Sequence, residues 1–264
     1  MKKVLKSMVS AAMALSMLAG CSKPAEEPKD LYDQIIEKGV LVVGTEGTYQ
    51  PNTYHDESGE LVGFDVEVAK VIADYFGVEV KYEETEWASI FSALDAGKID
   101  IIVNEVGYNE ERAEKYDFSE PYSFVQQAIL VKEENNDINA FEDLKGKICA
   151  NEATSLFGET AQNFGAELDP VNAMAQSISE VVNGRADATL NYITSFASYM
   201  KENPDAGVKI AALGETEPSS YVPVVKGNAK LVEKINEALK DALESGKLKE
   251  ISMKYYGVDV TSKN

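Results

Sequence analysis

A few residues in this chain are of types that could hold a small charged molecule. Arg112 stands three residues after Asn109 in Asn109-Glu110-Glu111-Arg112. Asn109 suits a helix N-cap, and the planar guanidinium fork of Arg112 fits a carboxylate. Thr154 and Ser155 open a predicted helix behind an apolar strand, and a helix start offers free N–H groups and a positive dipole end to an anion. Tyr49 and Trp87, the only tryptophan, fall just past apolar strands and offer ring faces. Glu46 and Glu105 are acids at the same tips. Each residue also has a plainer use. Helix arginines are usually solvated, here beside Glu111 or Glu114; hydroxyls cap helices, and aromatics fill cores. Shared position is what sets this group apart.

That position follows from the pattern of elements. Asp30 to Lys38 reads as an amphipathic helix stopped by Gly39, and Val40 to Val43 as a strand buried on both faces. After a hairpin signal at Asp56–Gly59, Val68, Val71, Ile72 and Tyr75 recur at helical spacing up to Gly77. Val78, Val80 and Tyr82 alternate as a strand, Ile90, Phe91 and Leu94 mark a helix ended by Gly97, and Ile99 to Val103 is another buried strand. Strand and helix in alternation imply a parallel sheet covered by helices. In such sheets small ligands bind beyond the strand tips.

The same grammar returns later, which predicts a two-lobed α/β chain. Gly97-Lys98-Ile99-Asp100-Ile101-Ile102-Val103-Asn104 matches Gly184-Arg185-Ala186-Asp187-Ala188-Thr189-Leu190-Asn191. Each has a glycine, a basic residue, an aspartate at the strand start and an asparagine at its tip. Glu105 and Tyr192 then face each other across a cleft. Extended segments at Pro121–Val131 and Tyr221–Val225 read as two crossovers, and hence a hinge.

The stretch from Gly44 to Tyr122 resembles the first lobe of the polar amino-acid (family 3) solute-binding proteins of ABC importers, and the resemblance extends over nearly the whole mature chain. It implies a periplasmic-binding-protein-like fold, with residues 30–125 and 220–264 in lobe 1 and 126–219 in lobe 2. It also implies roles. Arg112 grips the ligand α-carboxylate, helped by a hydroxyl at Thr154 or Ser155, while Tyr49 and Trp87 wall the side chain. Tyr49-Gln50-Pro51-Asn52 departs from the family's Tyr-Pro-Pro-Phe pattern, so the wall at Asn52 is more polar. The family aspartate that meets the ligand ammonium is replaced by Tyr192, next to Asn191. The cystine-type binders match best, through Gly44-Thr45-Glu46-Gly47-Thr48-Tyr49 and a tip reading Asn-Gln-Val-Gly, here Asn104-Glu105-Val106-Gly107. Glu105 is the expected substitute for the missing acid, with Glu46 in reserve, so Glu105→Gln is expected to weaken binding.

The ends and the composition frame this reading. Lys2, Lys3 and Lys6 precede a short apolar run, and Leu18-Ala19-Gly20-Cys21 looks like a lipoprotein lipobox, which makes Cys21 the expected lipidation site and residues 1–21 a leader. Residues 22–29 (SKPAEEPK) suit a flexible tether. A net charge of −20 excludes nucleic acid and anionic lipid headgroups as partners. Membrane attachment is expected through the lipid alone. Cys149 has no partner for an internal disulfide, and the single histidine, His55, is poor material for a zinc site. No cofactor or metal is expected.

The expected function is therefore a lipid-anchored, extracytoplasmic, monomeric binding protein. It captures cystine or another polar amino acid for an ABC permease. The alternatives are an enzyme on the same fold, of the cyclohexadienyl dehydratase type, and a sensor or adhesin. Ser198-Tyr199-Met200-Lys201 fits a Ser-x-x-Lys pattern but no Lys-Thr-Gly or Ser-Asp-Asn follows, and the chain is read as no enzyme.

Overall fold

A computed structural model describes residues 29–262. The leader, the Cys21 lipobox and most of the tether lie outside the described residues. Among the described residues no helix is long and apolar enough to cross a membrane.

The first lobe contains α1 (Leu31–Lys38), β1 (Val40–Thr45), β2 (Thr48–Tyr49), β3 (Thr53–His55), β4 (Leu61–Val62), α2 (Phe64–Phe76), β5 (Glu79–Glu84), α3 (Trp87–Asp95), β6 (Ile101–Ile102), α4 (Glu110–Ala113) and β7 (Tyr116–Phe118). Strands β5, β1 and β6 form a parallel sheet in that order, and β2, β3 and β4 form a small antiparallel one. Helix α2 shows how the sequence builds this. Phe64, Val68, Ala69, Ile72 and Phe76 fall on one face and are buried, which supplies the apolar stripe a sheet-covering helix needs. Gly77 then takes a left-handed φ of 71° and its N–H closes on Ala73, as a helix-ending glycine does.

The second lobe follows with β8 (Ser123–Lys132), β9 (Ile148–Asn151), α5 (Leu156–Asn163), β10 (Glu167–Pro170), α6 (Met174–Val182), β11 (Ala188–Tyr192), α7 (Ile193–Glu202) and β12 (Val208–Ser220). Its sheet runs β10-β9-β11-β8-β12. The first three strands are parallel, and β8 is antiparallel to both neighbours. The chain then returns. Strand β13 (Pro223–Val225) pairs with β7, and helices α8 (Ala229–Glu244) and α9 (Lys247–Tyr256) bury Leu231, Ile235, Leu248 and Ile251 in the core that holds Ile72 and Phe76.

The repeat seen in the sequence has a structural meaning. Asp100 Oδ2 accepts the Val42 N–H of β1 at 2.8 Å, and Asp187 Oδ2 accepts the Ile148 N–H of β9 at 2.8 Å. Each aspartate thus ties its own strand to the parallel neighbour. Gly97 and Gly184 precede them with φ of 64° and 69°. Where the lobes join, β8 and β12 run side by side, and Ser123 Oγ lies 2.7 Å from Ser219 Oγ and 2.6 Å from Ser220 Oγ. Small hydroxyl side chains at both crossings leave room for a hinge.

Strand β12 was not anticipated over its thirteen residues. It is an edge strand whose register against β8 shifts at three places, which breaks the alternation a sequence pattern relies on.

Candidate ligand-binding site

The strand tips of the two lobes meet around a cavity of about 40 Å³. Glu46, Thr48, Tyr49, Trp87, Asn104, Glu105, Gly107 and Arg112 line it from the first lobe. Glu152, Ser155, Leu156, Phe157, Ala173, Met174, Asn191 and Tyr192 line it from the second. Two residues expected at the site, Asn52 and Thr154, are not in the lining.

Arg112 is positioned by the short helix α4. Asn109 Oδ1 accepts the Arg112 N–H at 2.8 Å, as an N-cap should. The guanidinium donates to the Gly107 carbonyl at 2.7 Å and, across the cleft, to the Thr154 carbonyl at 2.8 Å. It lies 5.3 Å from the ring centres of both Trp87 and Phe91, within cation–π range. Burial pulls its pKa down, yet a guanidinium remains charged at physiological pH. Ser155, not Thr154, caps α5: its hydroxyl accepts the Gly158 N–H at 3.1 Å and donates to the Glu152 carbonyl at 2.8 Å. Thr154 has an exposed side chain and contributes its carbonyl to Arg112, because only one residue of the two can occupy the cap.

Trp87 is buried, at 9% exposure. It opens α3 edge-on to Phe91, with centroids 5.7 Å apart, beneath the Arg112 guanidinium. Its Nε1 is buried without a partner. Asn52, expected to form part of a wall, lies fully buried behind the lining. Its Nδ2 donates to Glu105 Oε2 at 2.8 Å, and its Oδ1 accepts from the Tyr256 hydroxyl. Asn52 is thus a support for Glu105. The Tyr49 hydroxyl meets Glu105 Oε2 and, 2.7 Å away in the other lobe, Asn191 Oδ1.

The acids divide into two groups. Asn104 holds Glu46 in place, accepting its N–H at 2.8 Å and donating Nδ2 to its Oε2 at 2.7 Å. Burial, with a smaller push from Glu152, raises the Glu46 pKa to about 7. Burial also raises Glu152, which sits just past the tip of β9. Glu105, the expected substitute for the missing acid, lines the cavity. It adopts a left-handed φ of 48°, an unfavourable backbone state of the kind found at functional sites. Its Oε2 is occupied by Tyr49 and Asn52, and its Oε1 is buried with no partner. Burial and the nearby Asp65 carboxyl push its pKa far up, and Asp65 itself rises to about 7 through burial. Loss of water and a like-charged neighbour both favour the protonated form of Glu105. Tyr192 is also buried, its hydroxyl donating to the Ser219 carbonyl at 3.2 Å and its ring edge-on to Phe157.

Gly107 lies at the seam between the lobes. A Cβ there would come within 2.2 Å of Leu156 Cδ1 in α5. Among the described residues no group of three or more His, Cys, Asp or Glu side chains could hold a metal ion. Sequence reasoning missed Thr48, Glu152, Leu156, Phe157, Ala173 and Met174. For Glu152 the usable signal was its place one residue beyond a strand tip.

Residues 41–258 match the model of the bacterial extracellular solute-binding proteins, family 3. The chain belongs to this family. Among family 3 relatives, the L-cystine-binding protein TcyA of Bacillus subtilis (strain 168) is 38% identical over 269 residues, covering 99% of this chain and 100% of TcyA. The unliganded, open L-cystine solute receptor of Neisseria gonorrhoeae is 39% identical with a TM-score of 0.61, over 88% of this chain and 99% of the receptor. An ancestral arginine-binding protein bound to arginine is 37% identical with a TM-score of 0.78, over 83% and 99% of the two chains. At like identity, the better fit to the ligand-bound form is what two lobes drawn together produce.

Proposed function

We propose that this family 3 protein is a lipid-anchored, extracytoplasmic receptor that closes on an amino acid, L-cystine first among them, and delivers it to an ABC permease. It acts as a monomer by capture and release, with no bond made or broken, and Cys21 carries the anchor. The observation that carries the reading is Arg112, a half-buried guanidinium at the mouth of the cleft whose two carbonyl partners leave further N–H donors for a carboxylate. Ser155 and the start of α5 add donors on the opposite side. Tyr49 and Trp87 flank the side chain, while Glu46 and Glu152 receive the ammonium. Asn104, Glu105, Gly107, Asn191 and Tyr192 complete the contact surface.

Thermal-shift screening of the purified mature protein against all amino acids, L-cystine and common amines tests this. A ligand at one hundred times its Kd stabilises the fold by about 2.7 kcal/mol, a readily measured rise. L-cystine or another polar amino acid is expected to give it. A rise only with sugars or metal ions would overturn the reading, and turnover of prephenate or arogenate would replace it with an enzyme.

A further inference from the structure

The hydrogen bonds where the lobes touch call for one more proton than the neutral side chains supply. Asn191 Oδ1 accepts the Tyr192 N–H at 2.7 Å, so the atom that faces the Tyr49 hydroxyl at 2.7 Å is the amide oxygen and not its nitrogen. A carbonyl oxygen only accepts, so Tyr49 gives its single proton across the cleft. The Tyr49 oxygen also meets Glu105 Oε2. With the phenol proton already used, Glu105 must supply the hydrogen of that contact. Asn52 leaves room for it. Its Oδ1 accepts from the Tyr256 hydroxyl, which turns its Nδ2 toward Glu105 Oε2 at 2.8 Å. A protonated Oε2 accepts from Asn52 and donates to Tyr49, and the chain of contacts closes. An ionised Glu105 takes the Tyr49 proton instead and leaves the Tyr49 and Asn191 oxygens opposed with no hydrogen between them.

The surroundings favour that proton when the lobes meet. Glu105 belongs to the first lobe and lines the cavity. Asn191 and Ser195 close over its partners from the second, with Ser195 Oγ 3.4 Å from both the Tyr49 hydroxyl and Asn52 Nδ2. The titratable groups facing it are Tyr49 from β2, Asp65 from α2, Tyr122 just before β8, Tyr192 at the end of β11 and Tyr256 from α9. No cation stands among them, and Glu105 Oε1 is buried without a partner. A charge shut in here is uncompensated, whereas parting the lobes opens the cavity side of Glu105 to water.

We propose that closing the lobes places a proton on Glu105 and opening them releases it, so that capture of an amino acid takes up a proton and release becomes easier as pH rises. This rests on the reading of the cleft as an amino-acid site and adds a control to it. A group that holds its proton more tightly in the closed form favours that form most below its open-state pKa. The advantage is lost as pH climbs toward the closed-state value. Between the two values affinity falls by up to about tenfold per pH unit.

Calorimetric titration of the mature protein and its E105Q variant with L-cystine, L-arginine and L-glutamine tests the proposal, at about pH 6, 7 and 8 and in two buffers of different ionisation enthalpy. Wild type should take up protons on binding, and its Kd should rise at least about tenfold across the range. E105Q, whose amide cannot titrate, should lose that part of the rise and bind more tightly than wild type at the highest pH. Glu46 and Asp65, each raised to about 7 by burial, titrate in both proteins, so the difference between the two profiles belongs to Glu105. Infrared difference spectra of wild type with and without amino acid give a readout that needs no variant: the carbonyl band of a protonated acid should grow on binding. Equal pH profiles for the two proteins, weaker binding by E105Q at the highest pH, or no growth of the band overturns the proposal and leaves the amino-acid site standing. Failure of all three amino acids to bind overturns both.

Discussion

The Tyr49 hydroxyl of the first lobe lies 2.7 Å from Asn191 Oδ1 of the second, and it meets Glu105 Oε2 at the same time. A phenol has one proton to give. With Glu105 neutral, its own O–H donates to the Tyr49 oxygen and the Tyr49 O–H is free to reach Asn191. With Glu105 ionised, Tyr49 donates to Glu105 and the tie between the lobes is lost. A buried acid thus decides whether a tyrosine fastens one lobe to the other.

Tyr49→Phe should therefore loosen closure. Removing one neutral hydrogen bond costs about 0.5–1.5 kcal/mol, expected here as weaker ligand binding and a larger radius of gyration for the liganded protein in solution scattering. Glu105→Gln should be far milder, below about 1 kcal/mol, since an amide can donate to Tyr49 as the neutral acid does. A loss of about 1.5 kcal/mol or more, the scale of a charged hydrogen bond, would restore Glu105 as the partner of the ligand ammonium.

Stability should depend on pH in a direction set by the buried acids. Burial raises Asp65 to about 7 and holds Glu105 well above its ordinary value, against about 3.9 and 4.3 in an unfolded chain. A group whose pKa is raised on folding gives stability that is complete below its unfolded value and lost as pH climbs through its folded value. The Tm of ligand-free protein should fall between about pH 5 and pH 8. Asp65→Asn should flatten that fall, and calorimetric melts across the range would reveal an unchanged slope if the acids play no part.

Arg112→Lys should not rescue Arg112→Ala. A lysine cannot supply two parallel donors to a carboxylate, nor reach the carbonyls of Gly107 and Thr154 together from its single ammonium. At least a tenfold loss of affinity is expected for each, with little change in Tm. Wild-type affinity in the lysine variant would show that charge alone suffices.

Gly107→Ala should separate binding from folding. Its added Cβ points at Leu156 of the other lobe, a clash that exists only when the lobes are together. The unliganded melt should stay within about 0.5 kcal/mol of wild type, the range for a surface change, while ligand affinity drops. An equal loss in both would mean that the strain sits within one lobe.

How far the sequence foretold this site depends on what each residue's signal consists of. Arg112 and Ser155 were readable because capping imposes a spacing, Asn109 to Arg112 and Ser155 to Gly158. Thr154 was misjudged because two adjacent hydroxyls look alike until the cap selects one. The burial of Trp87 was not legible because its cover includes Val42, Val106, Tyr116 and the Arg112 guanidinium, none of them local in sequence. Glu152 stood among 45 acids with only its place one residue past a strand tip to mark it. The parallel strands of each lobe were legible through their apolar runs, and the edge strand β12, with its shifting register, was not.

Asp100 and Asp187 give the framework a property of its own. Because each lobe ties its central strands with its own aspartate, the strands behind each half of the cleft are fastened within that half, and the loops beyond the tips are set on two separate frames. Such a protein is divided like a mould in two pieces. One face can be recut, as at Glu152 or Tyr192, while the opposite face keeps its form, and what the assembled whole grips changes without either piece having to be rebuilt.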